Sequence, residues 1–220
     1  MKMALDWLII ANGERISPLY LETLAVNKQI MVLDGAMDEM LCDLLEPHVV
    51  LGDFDSISTD LMNRKKALSE CIFVHAPDQN ASDLEKALSF VLEYQPRSIV
   101  ICQATGLRLD HTLYNLRLLK RFHGKCAQLS LVTEIEKIVF LKDESVSLSV
   151  KDKQPLALMA FPKAVVTSSG LEYDMDRYLL AFAESESTSN SIVASEAVID
   201  VDGEALLIMS HETDNKRLYV

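Results

Sequence analysis

Short, continuously apolar runs alternate with amphipathic stretches through the first half of the chain. Trp7–Ala11, Ile30–Leu33, His48–Leu51, Cys71–Val74 and Ser98–Cys102 each read as a strand covered on both faces, because a half-exposed strand would alternate apolar with polar residues. Between the last two runs, Ser82 to Tyr94 carries Leu84, Ala87, Leu88, Val91 and Leu92 at helical spacing, with Ser82 and Glu85 placed as a capping box. A second helix is predicted over 110–122, with Leu113, Leu116, Leu119 and Phe122 on one stripe. Strands alternating with helices imply an open, mainly parallel sheet with helices on both faces.

The rhythm changes near residue 127. Leu129–Val132, Ile138–Leu141, Val146–Val150, Leu156–Phe161, Val165–Val166, Ile192–Val193, Ala197–Ile199 and Leu206–Met209 follow at short intervals, separated by turn-prone residues. Asp202-Gly203 lies between two apolar runs and reads as a two-residue hairpin. The prediction is an α/β fold of two parts: an α/β domain over residues 1–141, then an antiparallel β-sandwich or barrel-like domain over 142–220.

With 49% hydrophobic residues in 220, the chain can bury a substantial core. A formal net charge of -12 argues against a protein that coats nucleic acid, since phosphate neutralisation needs a basic face. It leaves a phosphorylated ligand open, because a carboxylate-held cation reconciles an acidic pocket with an anion. The four cysteines are widely spaced, so reduced thiols are expected and a zinc site is not. The start of the sequence does not read as a secretory signal and no apolar run reaches the length of a membrane span, so a cytoplasmic protein is expected.

Acidic residues gather where the predicted strands end. Asp34-Gly35 follows Met31–Leu33, Gly52-Asp53-Phe54-Asp55-Ser56 follows Val49–Leu51, and Asp78 and Asp83 bracket the next strand-to-helix loop. In open parallel sheets ligands bind beyond the carboxyl ends of the strands, so these side chains are expected to converge. Oxygen ligands of this kind suit Mg2+, which takes one or two carboxylates and leaves its other positions to water and phosphate. The next strand end brings the opposite charge: Gln103-Ala104-Thr105-Gly106-Leu107-Arg108-Leu109-Asp110-His111. Here Gly106 lets the backbone approach an anion and Arg108 offers a bidentate fork.

Asp34-Gly35, Gly52-Asp53-Phe54-Asp55-Ser56, Asp78 with Asp83-Leu84-Glu85-Lys86-Ala87, and Thr105-Gly106 with Arg108-Leu109-Asp110-His111 resemble the ordered motifs of the thiamine pyrophosphokinase family. Gly170-Leu171-Glu172-Tyr173 and Thr188-Ser189-Asn190 extend the resemblance through the second domain. The resemblance implies transfer of a pyrophosphoryl group from ATP to the hydroxyl of thiamine, releasing AMP, by a homodimer with thiamine at the subunit interface. It implies that Asp53, Asp55 and Asp83 hold Mg2+ and, with Arg108, form the catalytic group. The nucleotide site would be lined by Asp34, Gly35, Ser56, Ser82, Gly106, Arg108, Asp110 and His111. Ser189 and Asn190 would help form the thiamine pocket. Ala36 and Leu107 stand where the family usually has glycine, and a side chain at 107 restricts the backbone where phosphate should approach.

Attack at the β-phosphorus builds charge on phosphate oxygens that the metal and Arg108 can stabilise, while positioning lowers the entropic barrier. Any clustered aspartate, or the phosphate itself, can take the alcohol's proton. A pyrophosphokinase for another small alcohol and a non-catalytic nucleotide or thiamine sensor are the competing readings. Trp7 is expected in the core, and Tyr173 in the core or an interface.

Overall fold

A computed structural model describes residues 5–55, 63 and 70–210, apart from the side chains of residues 39, 40 and 42. The chain divides into two compact units, Met1–Glu134 and Ile135–Val220.

In the first unit, β1 (Asp6–Ile10), β2 (Gln29–Leu33), β3 (Val49–Gly52), β4 (Ile72–His75), β5 (Ser98–Cys102) and β6 (Gln128–Val132) pair in parallel, in the order β4-β3-β2-β1-β5-β6. Four helices accompany them among the described residues: α1 (Pro18–Ala25), α2 (Glu39–Leu44), α3 (Asp83–Leu92) and α4 (Leu109–Phe122). Neighbouring residues of β1 point to opposite faces. Leu8 and Ile10 join a cluster with Leu21 of α1 and Leu41 of α2, while Trp7 and Ile9 are equally buried on the other side. Burial on both faces explains the unbroken apolar runs. Trp7 is core, its ring tilted against Tyr94 at 5.5 Å. None of the helices in the described residues is long and apolar enough to cross a membrane.

The strand order reverses between β1 and β5, so the chain leaves these adjacent strands toward opposite sides of the sheet and opens a crevice at their carboxyl ends. Two expectations change here. Leu129–Val132, read with the antiparallel series, is instead the last parallel strand, because α4 returns the chain in the same direction as β5. The strand near residue 72 is not covered on both faces: β4 ends this strand order and Ile72 is 54% exposed.

Ser82 caps α3, its Oγ accepting from the Glu85 N–H at 3.3 Å. The reciprocal half of a capping box does not form, because the buried Glu85 carboxylate pairs with Arg121 at 2.9 Å and accepts from the Tyr114 hydroxyl. Helix α4 starts one residue earlier than predicted, with Arg108 at the N-cap position. Its buried face is Leu118, Leu119 and Phe122, whereas Leu113 is exposed.

The second unit is wholly antiparallel: β7 (Glu136–Ser149), β8 (Gln154–Ser169), β9 (Tyr178–Ala181), β10 (Ser187–Ile192) and β11 (Glu196–Ser210). The ladder runs β7-β11-β8-β10, and β9 pairs with the later part of β8. Leu156, Leu158, Ala160, Ala164 and Val166 keep one inward phase along β8 and pack on Leu180, Ile199, Val201 and Leu207. Long strands replace the pairs of short ones expected here. Asp202-Gly203 is not a hairpin but lies within β11, where three residue steps from Val201 to Glu204 match two on β7, from Glu144 to Lys142. Gly203 has φ +113, and its N–H donates to Asp143 Oδ1 at 2.8 Å. An Asp-Gly pair suits a left-handed residue, and a bulge needs one as much as a turn does. A Cβ at Gly203 would meet the Lys163 carbonyl at 2.6 Å. Gly203→Ala is expected to lower the unfolding free energy by about 1–3 kcal/mol, read from urea denaturation.

Candidate active site

The carboxyl ends of β2 and β3 bring three aspartates together. One oxygen from each of Asp34, Asp53 and Asp55 lies within 4.8 Å of the others. Asp34 begins a 3-10 turn, Asp34–Ala36, and is only 4% exposed. Its Oδ1 accepts from the Gly35 N–H at 2.6 Å and its Oδ2 from the Phe54 N–H at 2.7 Å. Burial pushes its carboxyl above the ordinary carboxylate range; those two N–H groups pull it back, and the charges of Asp83 and Asp53 raise it further. Room for the group comes from Gly52, where a Cβ would overlap the Asp34 carboxylate itself.

Phe54 has φ +64, which contracts the chain between Asp53 and Asp55. Extended spacing would separate alternate residues by about 6.6 Å. The strained turn is held by the Phe54 N–H on Asp34 and by ring contacts with Phe73 and His75, each with centroids 6.0 Å apart. Asp53 is held below the usual carboxylate range, first by the Asp55 backbone N–H, and Gln79 from the loop after β4 also reaches it.

Asp83 is outside this three-carboxylate group. Its carboxylate pairs with Lys86 at 2.9 Å, and the Lys86 ammonium also donates to the Ala76 carbonyl. Asp78 accepts from the Asn80 N–H and side-chain amide at 2.9 and 2.8 Å, a local turn contact that lowers its pKa. Ser56 lies outside the described residues.

On the other side of the strand-order reversal, Arg108 forms a two-pronged pair with Asp110, Nε to Oδ1 at 3.1 Å and Nη2 to Oδ2 at 2.6 Å. That pairing brings Asp110 down to about 2. Both side chains are largely exposed, and so is His111. Gly106 and Leu107 are both left-handed, at φ +73 and +52. Leu107 therefore keeps a glycine-like backbone at a cost of about 1–2 kcal/mol, and its side chain, 81% exposed, leaves the turn itself unfilled. Asn115 of α4 steadies the loop by donating to the Ala104 carbonyl at 2.7 Å.

Residues 21–131 match the family model for the catalytic domain of thiamin pyrophosphokinase, and residues 144–206 match the model for its vitamin B1 binding domain. The chain belongs to the thiamin pyrophosphokinase family. Thiamin pyrophosphokinase 1 of Caenorhabditis elegans is 27% identical over 202 residues, covering 86% of this chain and 80% of its own. Thiamine pyrophosphokinase of Bacillus subtilis is 26% identical over 171 residues, covering 76% and 79%. The fold matches the crystal structure of the Bacillus subtilis enzyme with a TM-score of 0.83 at 23% identity, over 94% of this chain and all of that one. It also matches yeast thiamin pyrophosphokinase with a TM-score of 0.82 at 16% identity, over 96% and 87%.

The thiamin pyrophosphokinase signature of the second unit takes a definite form. Asn190 is buried, and its amide uses its full hydrogen-bonding capacity within the protein. Oδ1 accepts from the Tyr173 and Ser191 N–H groups at 3.1 and 2.8 Å, and Nδ2 donates to the Tyr173 carbonyl at 2.9 Å and to Ser187 Oγ at 3.3 Å. It fixes the backbone of Tyr173, at the end of the Gly170–Tyr173 segment, and that of its own neighbour Ser191. Ser189 is exposed and left-handed at φ +59.

The sequence assigns no role to Arg15 or Gln79, and none to Gln103 beyond its place in the loop after β5. Arg15 lies two residues after the glycine of the short Asn12-Gly13 turn that follows β1, a weak local signal, and its partners are distant in sequence. Gly13 N donates to the Gln103 carbonyl at 2.6 Å and Glu14 N to the Thr105 carbonyl at 2.8 Å, zipping the β1 loop to the β5 loop. Gly52→Ala is expected to displace Asp34 and to lower stability by about 1–3 kcal/mol, measured by urea denaturation; unchanged stability would mean the carboxylate is not seated as described.

Proposed function

We propose that this chain transfers the pyrophosphoryl group of ATP to the hydroxyl of thiamine, giving thiamine pyrophosphate and AMP. The observation that carries the reading is the convergence of Asp34, Asp53 and Asp55 at the sheet's carboxyl edge, in a chain whose two units match the two domains of one kinase family. An all-oxygen set of clustered carboxylates fits a hard divalent cation such as Mg2+. Asp53 and Asp55, both solvent-accessible, would hold it together with Asp34, and Asp83 adds negative charge nearby. Magnesium bound there supplies Lewis-acid stabilisation of charge on the phosphate oxygens.

The protein's own groups supply the rest. Arg108 has the planar fork to take two phosphate oxygens, and exchanging Asp110 for phosphate needs only rotation of an exposed side chain. The turn at Gly106-Leu107 leads directly into α4, whose N-terminus favours an anion. Ser189 and the segment fixed by Asn190 are the proposed thiamine contacts. A homodimer is part of this reading, supported by exposed apolar residues on the second unit, among them Tyr178, Leu179 and Phe182.

Incubated with ATP, magnesium and thiamine, the protein is expected to yield AMP and thiamine pyrophosphate in equal amounts, resolved by chromatography. ADP as the nucleotide product, or turnover indifferent to thiamine, would overturn the proposal. Asp53→Asn should reduce kcat by about two orders of magnitude or more.

Acid should oppose metal binding. Asp34 binds its proton more tightly folded than unfolded, so its contribution to stability falls as pH rises from the ordinary carboxylate range through its raised value. A cation held by Asp34 would compete with its proton and would offset the cost of the buried charge once that proton has left. The rise in melting temperature given by magnesium should therefore grow as pH rises out of the ordinary carboxylate range, from about pH 4 upward, as followed by calorimetry; a rise independent of pH across that range would count against Asp34 as a metal ligand.

A further inference from the structure

Arg15, in the loop between β1 and α1, joins three of the loops that frame the crevice. Its Nη1 donates to Gln103 Oε1 at 3.0 Å and to the Ala36 carbonyl at 3.2 Å. Its Nη2 donates to the same carbonyl at 3.2 Å and to Asp38 Oδ2 at 2.8 Å. The partners are not incidental. Ala36 closes the short turn that Asp34 opens. Asp38 caps α2, its other oxygen accepting from the Leu41 N–H at 2.8 Å. Gln103 is buried, left-handed at φ +54, and the first residue after β5. A plain surface ion pair would account for the Asp38 contact alone. It would not account for a guanidinium only one-third exposed that grips a carbonyl with both terminal nitrogens and reaches a buried amide 88 residues away.

We propose that Arg15 is a positioning residue for the carboxylate cluster: it clamps the Asp34–Ala36 turn against the β5 loop and so fixes where the Asp34 carboxylate meets Asp53 and Asp55. The inference rests on the reading of that cluster as a divalent-metal site. What Arg15 supplies is the geometry of a planar fork, which a lysine's single ammonium cannot reproduce. Without the fork the Ala36 carbonyl and the Gln103 amide lose a shared donor, and the turn can shift by tenths of an ångström. Ligands that must be gathered on binding hold a metal less tightly than ligands already in place.

The test uses Mn2+ as the probe, with free ion counted by electron paramagnetic resonance on the full chain without nucleotide. Arg15→Met is expected to weaken Mn2+ binding about 10–100-fold. Arg15→Lys keeps the charge and the aliphatic stem, guards against a folding failure, and is expected to recover little of the loss. Arg97→Met serves as the control. It removes the ion pair between Arg97 and Asp6, which joins the starts of β5 and β1 at the opposite edge of the sheet, and should leave Mn2+ binding unchanged. Wild-type affinity in either Arg15 variant would overturn the inference while leaving the metal site standing. Absence of Mn2+ binding by the unaltered chain would overturn the metal reading itself.

Discussion

Burying the Asp34 carboxylate at the end of β2 imposes a condition that its surroundings are arranged to meet. A carboxylate removed from water needs donors, and the two it finds are backbone N–H groups, one from its own turn and one from Phe54 in the neighbouring loop after β3. To reach Phe54 it must pass the end of β3, which is possible only because Gly52 has no side chain. Phe54 in turn adopts a left-handed conformation that gathers Asp53 and Asp55. One buried charge thus links the turn, the missing Cβ and the strained residue into a single arrangement.

The parallel sheet makes the arrangement possible at this place. All six strands end at one edge, and the reversal of strand order between β1 and β5 parts the loops there into two groups. The acidic loops lie on the β2 and β3 side, and the arginine-bearing loop follows β5. Between them runs the loop after β1, hydrogen-bonded to the β5 loop at Gly13 and Glu14 and, through Ser17 and Glu134, to the chain just after β6. Arg15 carries the same connection across to Ala36 and Asp38.

The second unit uses a different device for a related purpose. Asn190 is buried in β10, and it holds the end of the Gly170–Tyr173 segment by two contacts to the Tyr173 backbone, with further contacts to the Ser191 N–H and to Ser187. Left-handed residues again mark the place, at Gly170 and Ser189. In both units side-chain groups fix loop backbone, and strain is stored where the loops turn.

Much of this was legible in the chain itself. Except at β4, on the edge of this strand order, continuous apolar runs specified strands covered on both faces, because burial on two sides removes the need for alternation. Ser98–Cys102 was read with its observed limits, and the Asp34, Asp53 and Asp55 loops with their position beyond strand ends. The order of motifs pointed to the family. The sequence could not specify which carboxylates meet, because Asp34 joins Asp53 and Asp55 through a register between β2 and β3, while Asp83 is drawn to Lys86. Nor could it tell a bulge from a hairpin at Asp202-Gly203, since both require the same left-handed backbone. Arg15 carried no motif because its partners lie 21, 23 and 88 residues away. Local pattern determined the elements and the kinds of chemistry at their ends; only the packed sheet, by setting register and bringing distant loops to one edge, decided which of those residues touch.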